Sequence, residues 1–234
     1  LSMGVGVTTG DGNVAIGRQA GDALTTGSHS VAIGMSALST EDAGTGAIAI
    51  GYQALQDQDG GDTFNVAVGY RAGRNVTTGT NNILIGASAG DTLTTGHYNV
   101  AIGHQALKTE DAHGRNIAIG HQALETLDAG ADAYNVAIGY DAGTAMTTGS
   151  QNILVGGLAG DALTTGTSNI AIGLLALSGE DTGGRNIAIG YGALRVQDYD
   201  GNGYNVAIGY DAGTAVSTGT LNTIIGGLAG DALT

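Results

Sequence analysis

The sequence predicts an all-β fold, a parallel β-solenoid with about 17 residues per coil and about thirteen coils. Val or Ile stands one residue before a glycine in thirteen copies of a short motif, and three residues before it in twelve of them. The step between these glycines is nearly constant, as from Gly17 to Gly34 and from Gly34 to Gly51. A repeat this short cannot fold alone, so neighbouring copies must stack into a solenoid. The motif glycines are Gly17, Gly34, Gly51, Gly69, Gly86, Gly103, Gly120, Gly139, Gly156, Gly173, Gly190, Gly209 and Gly226.

Positions are counted from the motif glycine, which is position 0, and coil n is the repeat that holds the nth motif glycine. Positions −3 and −1 lie on one face of a short strand because strand side chains alternate with a period of two. Both positions hold β-branched residues, which favour a strand; in coil 8 they are Val136 and Ile138. We predict that these two positions fill the solenoid interior.

Position −2 lies on the opposite face of the strand and is Ala in ten of the thirteen copies. A strand that is apolar on both faces is usually covered on both sides. We therefore predict that position −2 contacts a partner outside the coil, and the most economical partner is another copy of the chain. The candidate chain–chain interface consists of Ala32, Ala67, Leu84, Ala101, Ala137, Leu154, Ala171, Ala207 and Ile224.

Position −4 is Asn in eleven of the thirteen copies. Side-chain amides stacked once per coil, about 4.8 Å apart, can hydrogen-bond along the stack. We predict a structural ladder formed by Asn13, Asn65, Asn82, Asn99, Asn116, Asn135, Asn152, Asn169, Asn186, Asn205 and Asn222.

A larger unit of four coils is superimposed on this repeat. Position +4 reads Gly, Leu, Leu, Gly and then starts again, and the first coils of successive units carry Gly17, Gly86, Gly156 and Gly226. We predict one repeat domain over residues 1–234, with a superperiod of about 70 residues in which four stacked coils form one block. Because both ends fall within a repeat, we expect the chain to be a segment of a longer fibre.

The composition narrows the classes of function. The net charge is −14 with only seven basic residues, which argues against nucleic acid as a partner. A membrane-spanning helix needs an apolar run of at least about 18 residues. The chain has no such run, so we expect no membrane insertion by this segment. It has no cysteine, no nucleophile elbow and no phosphate-binding loop, so we expect no enzymatic activity.

Acidic turns in the third coil of the superperiod resemble calcium loops. Asp198, Asp200 and Asn202 alternate and are followed by Gly203, which matches alternating oxygen ligands before a sharp turn. The related turn at Asp57, Asp59 and Asp62 keeps part of the pattern. The spacing predicts a Ca²⁺ site, and the alternative is a solvated acidic turn. No other cofactor is expected.

Thr-Thr-Gly turns, such as the one at Thr164 and Thr165, suggest a second function. Regular threonine arrays on flat solenoids can order water at an ice surface. Here the turns occur in only two of the four coil types. An ice-binding solenoid, or a filament-forming solenoid subunit, is therefore the alternative function.

The motif itself resembles a known repeat. The chain is similar to the head repeat of the YadA-like trimeric autotransporter adhesins, and also to repeats in bacteriophage tail fibres, at Asn13-Val-Ala-Ile-Gly17, Asn99-Val-Ala-Ile-Gly103, Asn135-Val-Ala-Ile-Gly139 and Asn205-Val-Ala-Ile-Gly209. The resemblance implies a left-handed β-roll, a homotrimer and extracellular display on a cell surface or virion. It also implies adhesion to a host surface or matrix molecule or a glycan. The expected function is thus a structural and adhesive segment of an extracellular fibre that displays surface loops.

Overall fold

The computed structural model describes residues 10–234, and the first residues of the chain lie outside the described part. The described chain is a parallel β-solenoid without helices, in which each coil of about 17 residues contributes one three-residue strand. The predicted all-β parallel solenoid with about 17 residues per coil is therefore confirmed, while the left-handed coil and the homotrimer stay predictions. The strands are β1 Val14–Ile16, β2 Val31–Ile33, β3 Ile48–Ile50, β4 Val66–Val68, β5 Ile83–Ile85, β6 Val100–Ile102, β7 Ile117–Ile119, β8 Val136–Ile138, β9 Ile153–Val155, β10 Ile170–Ile172, β11 Ile187–Ile189, β12 Val206–Ile208 and β13 Thr223–Ile225.

The chain divides between Arg115 and Asn116 into two compact units. In the first unit, β1 to β6 pair in chain order, all parallel, and like positions face each other. In the second unit, β7 to β13 pair in the same way. In both units every strand residue therefore forms a column with its counterparts in the neighbouring coils.

Glycine at position 0 is required by a corner of the coil. Gly156 has a φ of +136°, a conformation that residues with a side chain rarely adopt. A Cβ on Gly156 would lie 2.5 Å from the carbonyl oxygen of Gly173 in the next coil. The same two constraints apply from Gly17 to Gly86 in the first unit and from Gly120 to Gly209 in the second, so the glycine column marks where the backbone turns tightly against its neighbour.

The strands bury the face opposite to the one predicted. From β2 to β13 position −2 is buried within a single chain, whereas positions −3 and −1 are half-buried or exposed. The predicted interior ladder and the predicted interface are therefore exchanged. Fully buried inside the coil are Ala32, Ala67, Leu84, Ala101, Ala137, Leu154, Ala171 and Ala207, and Ile224 is 7% exposed.

The reason for this orientation is the narrowness of the coil. Buried Ala142 and Ala159 at position +3 show that the opposite wall is also built from small side chains. Where position −2 is large, position +4 of the same coil is glycine. A Cβ on Gly143 or Gly160 would lie 2.7 or 2.8 Å from methyl carbons of Leu154, so that leucine fills the space that two glycines leave.

Coils with the reverse arrangement have leucine at position +4 and alanine at position −2. Leu177 and Ala171 in coil 10 are both fully buried. No coil carries a large residue at both positions. The size exchange explains why position −2 departs from alanine only in coils 5, 9 and 13, where position +4 is glycine.

The position −4 asparagines bond from coil to coil. The backbone N–H of Asn152 donates to Oδ1 of Asn135 (3.0 Å), and the backbone N–H of Asn169 donates to Oδ1 of Asn152 (2.9 Å). The Asn152 side-chain amide donates to the carbonyl oxygen of Gly166 (2.9 Å) and to Oδ1 of Asn135 (3.2 Å). Each ladder step therefore joins a backbone N–H of one coil to a side-chain oxygen of the preceding coil. The side-chain amide also connects the strand to the carbonyl oxygen of a turn.

Candidate functional site

The outer aliphatic face consists of the Val and Ile side chains at positions −3 and −1. Among the described residues, those most exposed include Val14 (42%), Ile16 (44%) and Ile83 (40%). In the first unit all twelve positions of β1 to β6 are Val or Ile, and in the second unit thirteen of fourteen are. Extended exposed apolar surface often marks a site of association, so this face is the candidate functional site.

Two further columns border this face, at positions −5 and +1. Nine of the ten aromatic residues of the chain stand in them, five at position +1 and four at position −5, and the tenth is Tyr199. Their side chains are half-buried or exposed. Position −5 has positive φ in every described coil, so the column lies at a corner just before the strand.

The fourth coil of each superperiod carries an aromatic residue in both border columns. We call these three pairs the aromatic rows. They are Phe64 with Tyr70 in coil 4, Tyr134 with Tyr140 in coil 8, and Tyr204 with Tyr210 in coil 12, and all six are between 46% and 58% exposed.

Stacking within the chain holds these rings in place. At position +1, Tyr140 stacks on His121 of the preceding coil with ring centroids 5.2 Å apart, and Tyr210 stacks on Tyr191 at the same distance. At position −5, the Arg185 guanidinium lies over the Tyr204 ring at 5.5 Å and donates a hydrogen bond to its hydroxyl oxygen (2.7 Å). The rings are therefore preordered although their outer edges are exposed.

A buried column at position +7 was not predicted. Eight coils have an apolar residue there, such as Leu163, and the other five have Glu or Gln. The glutamates are fully buried, as are both glutamines. The recurrence of Leu, Val and Met at one fixed position is the sequence pattern that could have revealed this column.

The buried glutamates cap turns. Glu41 accepts hydrogen bonds from the Gly44 backbone N–H (2.6 Å) and from Nε2 of Gln58 in the next coil (3.0 Å). The Gln58 carbonyl in turn accepts from the side-chain amide of Asn65 (2.9 Å). This polar chain crosses the interior from the position +7 column to the asparagine ladder.

Glu180 caps a turn in the same way in the second unit. It accepts from the backbone N–H groups of Gly183 (2.7 Å) and Tyr199 (3.4 Å). Burial raises the pKa of the Glu180 carboxyl, and the charges of Asp198 and Asp181 add to the rise, while the two hydrogen bonds oppose it. Burial raises the pKa of Glu41 in the same way.

The residues of the predicted Ca²⁺ site are only partly brought together. Carboxylate oxygens of Glu180, Asp181 and Asp198 lie within 4.8 Å of one another. Asp200 stands apart from that group and accepts a hydrogen bond from the Thr182 hydroxyl (3.1 Å). Calcium binding stays a prediction.

The other predicted ligands lie in turns. Asn202 forms a parallel bridge with Gly184. Asp59 donates its backbone N–H to the carbonyl oxygen of Thr77 (3.1 Å), and Asp57 donates to that of Arg74 (3.0 Å). Among the described residues, Asp57, Asp59 and Asp62 do not gather three acidic side chains at one point.

The threonine turns use their hydroxyl groups within the chain. Thr147 and Thr164 donate hydroxyl hydrogen bonds to the backbone carbonyl oxygens of Thr164 (3.3 Å) and Asp181 (3.0 Å) in the next coil. Thr25 and Thr94 bond to the side chains of Asp42 and Asp111. The hydroxyl groups of these first threonines are therefore engaged within the chain, whereas the second threonine of such a turn, as at Thr165, is exposed.

Comparisons with protein-family models, with curated proteins and with solved structures gave no match. The part of the chain that the structure describes has no helix of the length and apolar character needed to cross a membrane. The functional argument therefore depends on the geometry of the chain itself.

Proposed function

We propose that this chain is a structural and adhesive segment of an extracellular fibre, displayed on a cell surface or virion, in which three copies associate along their outer aliphatic faces. The observation that supports it is the orientation of the strands. Alanines are buried inside the coil, whereas the larger Val and Ile side chains point away from it. The assembled form would be a homotrimer of left-handed β-rolls.

Covering this face offers an energetic gain. Full burial of a Val or Ile side chain contributes about 1.5–3 kcal/mol, so a side chain that is about two-fifths exposed has roughly 1 kcal/mol still to gain. On this face four side chains of the first unit and six of the second are more than a third exposed, and the other Val and Ile side chains are half-buried. Their summed gain is of the same order as the cost of lost translational freedom and side-chain ordering in ordinary associations, estimated at about 4–15 kcal/mol or more.

A second copy is the partner that matches this surface best. The face repeats once per strand spacing, about 4.8 Å, and only a surface with the same repeat can contact it regularly over many coils. Three flat faces turned towards a common axis would enclose their aliphatic side chains, and the acidic turns would stay in solvent. The turns, which differ among the four coil types, would be available to a host surface or matrix molecule or a glycan.

Sedimentation equilibrium tests the assembly. We expect a mass of three times 22.9 kDa for the native chain. Ile138→Glu combined with Ile172→Glu should give the monomer mass with an unchanged circular dichroism spectrum, because both side chains point outward. Thr165→Glu, on an exposed turn, is the matched control and should keep the native mass. A native monomer would overturn the proposal.

A further inference from the structure

We propose that the aromatic rows set the axial register between copies: once per superperiod, the position −5 aromatic of one copy packs against the position +1 aromatic of the next copy at the same height. This inference rests on the proposed assembly through the outer aliphatic face. It names the feature that selects one alignment among the many that this face allows.

The aliphatic columns cannot select a register by themselves. Positions −3 and −1 hold Val or Ile in nearly every coil, so sliding one copy past another by one strand spacing would pair the same residue types again. Strands whose contacts are alike in several registers are prone to slippage. A fibre segment built on this face alone would be free to associate in staggered forms.

The border columns remove that degeneracy. Coil 8 has Tyr134 and Tyr140 at positions −5 and +1, whereas coil 9 has Gln151 and Gly157 there. A one-coil shift towards the preceding coil would still set the position −5 rings against Tyr52, His121 and Tyr191 at one junction. In a closed trimer, however, the shifts at the three junctions sum to zero, so another junction would be shifted the opposite way, where position +1 holds only Ala87, Gly157 and Gly227. A shift of four coils would match the rows again but would leave four coils of each chain uncovered.

Rotational symmetry brings the two borders together. Copies related by rotation about an axis parallel to the solenoid place identical coils at one height. The position −5 border of one copy then adjoins the position +1 border of the next. Because coils 4, 8 and 12 carry a ring in both columns, each junction at those heights receives two aromatic side chains.

The preordering of the rings favours this role. Tyr140 and Tyr210 are stacked on the preceding coil and Tyr204 is held by Arg185, so little side-chain freedom is left to lose on contact. Their remaining exposure, 57%, 58% and 46%, is on the side away from the chain. Aromatic pairs contribute beyond their buried area, which suits them to discriminate between registers.

Disulfide cross-linking can measure the register because the chain has no cysteine. The same-level pair is Asn81→Cys with Ala87→Cys, both in coil 5 and outside the aromatic rows. The offset pair is Asn81→Cys with Met35→Cys, three coils apart. Three strand spacings are about 14 Å, beyond the Cα separation of about 7 Å that a disulfide spans.

In the otherwise native chain, we expect the same-level pair to form covalent trimers at least about tenfold faster than the offset pair. Replacing the position −5 rings by the residue of coil 9, with Phe64→Gln, Tyr134→Gln and Tyr204→Gln, should keep the trimer mass and bring the two rates close together. Tyr199→Gln, which removes the aromatic outside the border columns, should change neither rate. Tyr134→Gln with Tyr204→Gln alone is the milder variant, with a partial effect.

The outcomes separate this inference from the proposed function. A native trimer whose two pairs cross-link equally fast, or a ring-free variant that still cross-links only at the same level, would overturn the register role and leave the trimer intact. A native monomer would remove the proposed assembly together with the inference.

Discussion

The two faces of the same three-residue strand differ in what they tolerate and in what they specify. The inward face has one small residue per coil, and its size is exchanged with position +4, as Leu154 shows against Gly143 and Gly160. The outward face has two larger residues per coil, which are half-buried or exposed. In a narrow solenoid the space between opposite walls, and not side-chain size, decides which face is the core.

The largest expected effect is the loss of folding when a charge is placed on the inward face and not on the outward face. Ala137→Glu puts a carboxylate into a fully buried site without a partner, and we expect the coil to lose its folded circular dichroism signal. Ile138→Glu, the next residue, points outward and should leave the fold intact while weakening association. A folded Ala137→Glu variant of native stability would show that the face assignment is wrong.

A smaller loss is expected from a cavity. Leu154→Ala removes the side chain that fills the space beside two glycines and should lower the free energy of unfolding by about 2–5 kcal/mol, measured by urea denaturation. Ile153→Ala, on the outward face, is the matched control. In a variant background that is monomeric, it should cost less than about 1.5 kcal/mol. Equal losses for the two variants would contradict the contrast between the faces.

The asparagine ladder should contribute less than the packing. Asn152→Ala removes the acceptor of the Asn169 N–H and the donor to the Gly166 carbonyl, and unsatisfied buried groups cost about 1–3 kcal/mol each. Thermal unfolding measures the loss. Coil 3 already has Ala47 at this position, so we expect a folded variant. No change in melting temperature would show that these bonds make no net contribution.

The smallest effect, and the one with a pH signature, concerns the buried glutamate. Because burial raises the pKa of Glu180 above its usual 4.5, the folded state holds the proton more tightly than the unfolded chain does. The resulting stabilisation is complete below pH 4.5 and is lost as the pH rises through the folded-state pKa. Glu180→Gln should therefore become more stable relative to the native chain as the pH increases from about 4 to about 7.

Melting temperatures of both proteins across that pH range test this expectation. Asp200→Asn removes an exposed carboxylate from the neighbouring turn and is the matched control for the substitution itself. If the stability of Glu180→Gln relative to the native chain fell with rising pH, the direction of the Glu180 pKa shift would be wrong.

Much of the fold could be predicted from the sequence because a parallel stack repeats every local constraint. The glycine column, the in-register strands and the asparagine column follow from spacing alone. The face orientation could not be read from β-branching at Val136 and Ile138, since such residues suit either face. The size exchange between positions −2 and +4 would have decided it, because two positions that compensate in volume must share one interior.

The candidate site was harder to predict. The aromatic residues recur in the sequence, but their position as borders of an exposed face follows only once positions −3 and −1 are known to point outward. Glu180 looks like a surface acid beside Asp181, and its burial follows only from its alignment with Leu163 and Val216 at position +7. Neither the border columns nor the buried glutamate could be predicted while the β-branched face of the strand was assigned to the coil interior.

The size exchange also limits how such a chain can change in length. Removing coil 8 alone would set Leu154 beside Leu124 of coil 7, where the structure has room only for a glycine. Removing four consecutive coils would restore every pair of large and small residues. Deletion or duplication of a whole superperiod therefore leaves the interior undisturbed, whereas loss of the coil that precedes each large position −2 residue does not, so changes in length are most constrained at coils 4, 8 and 12.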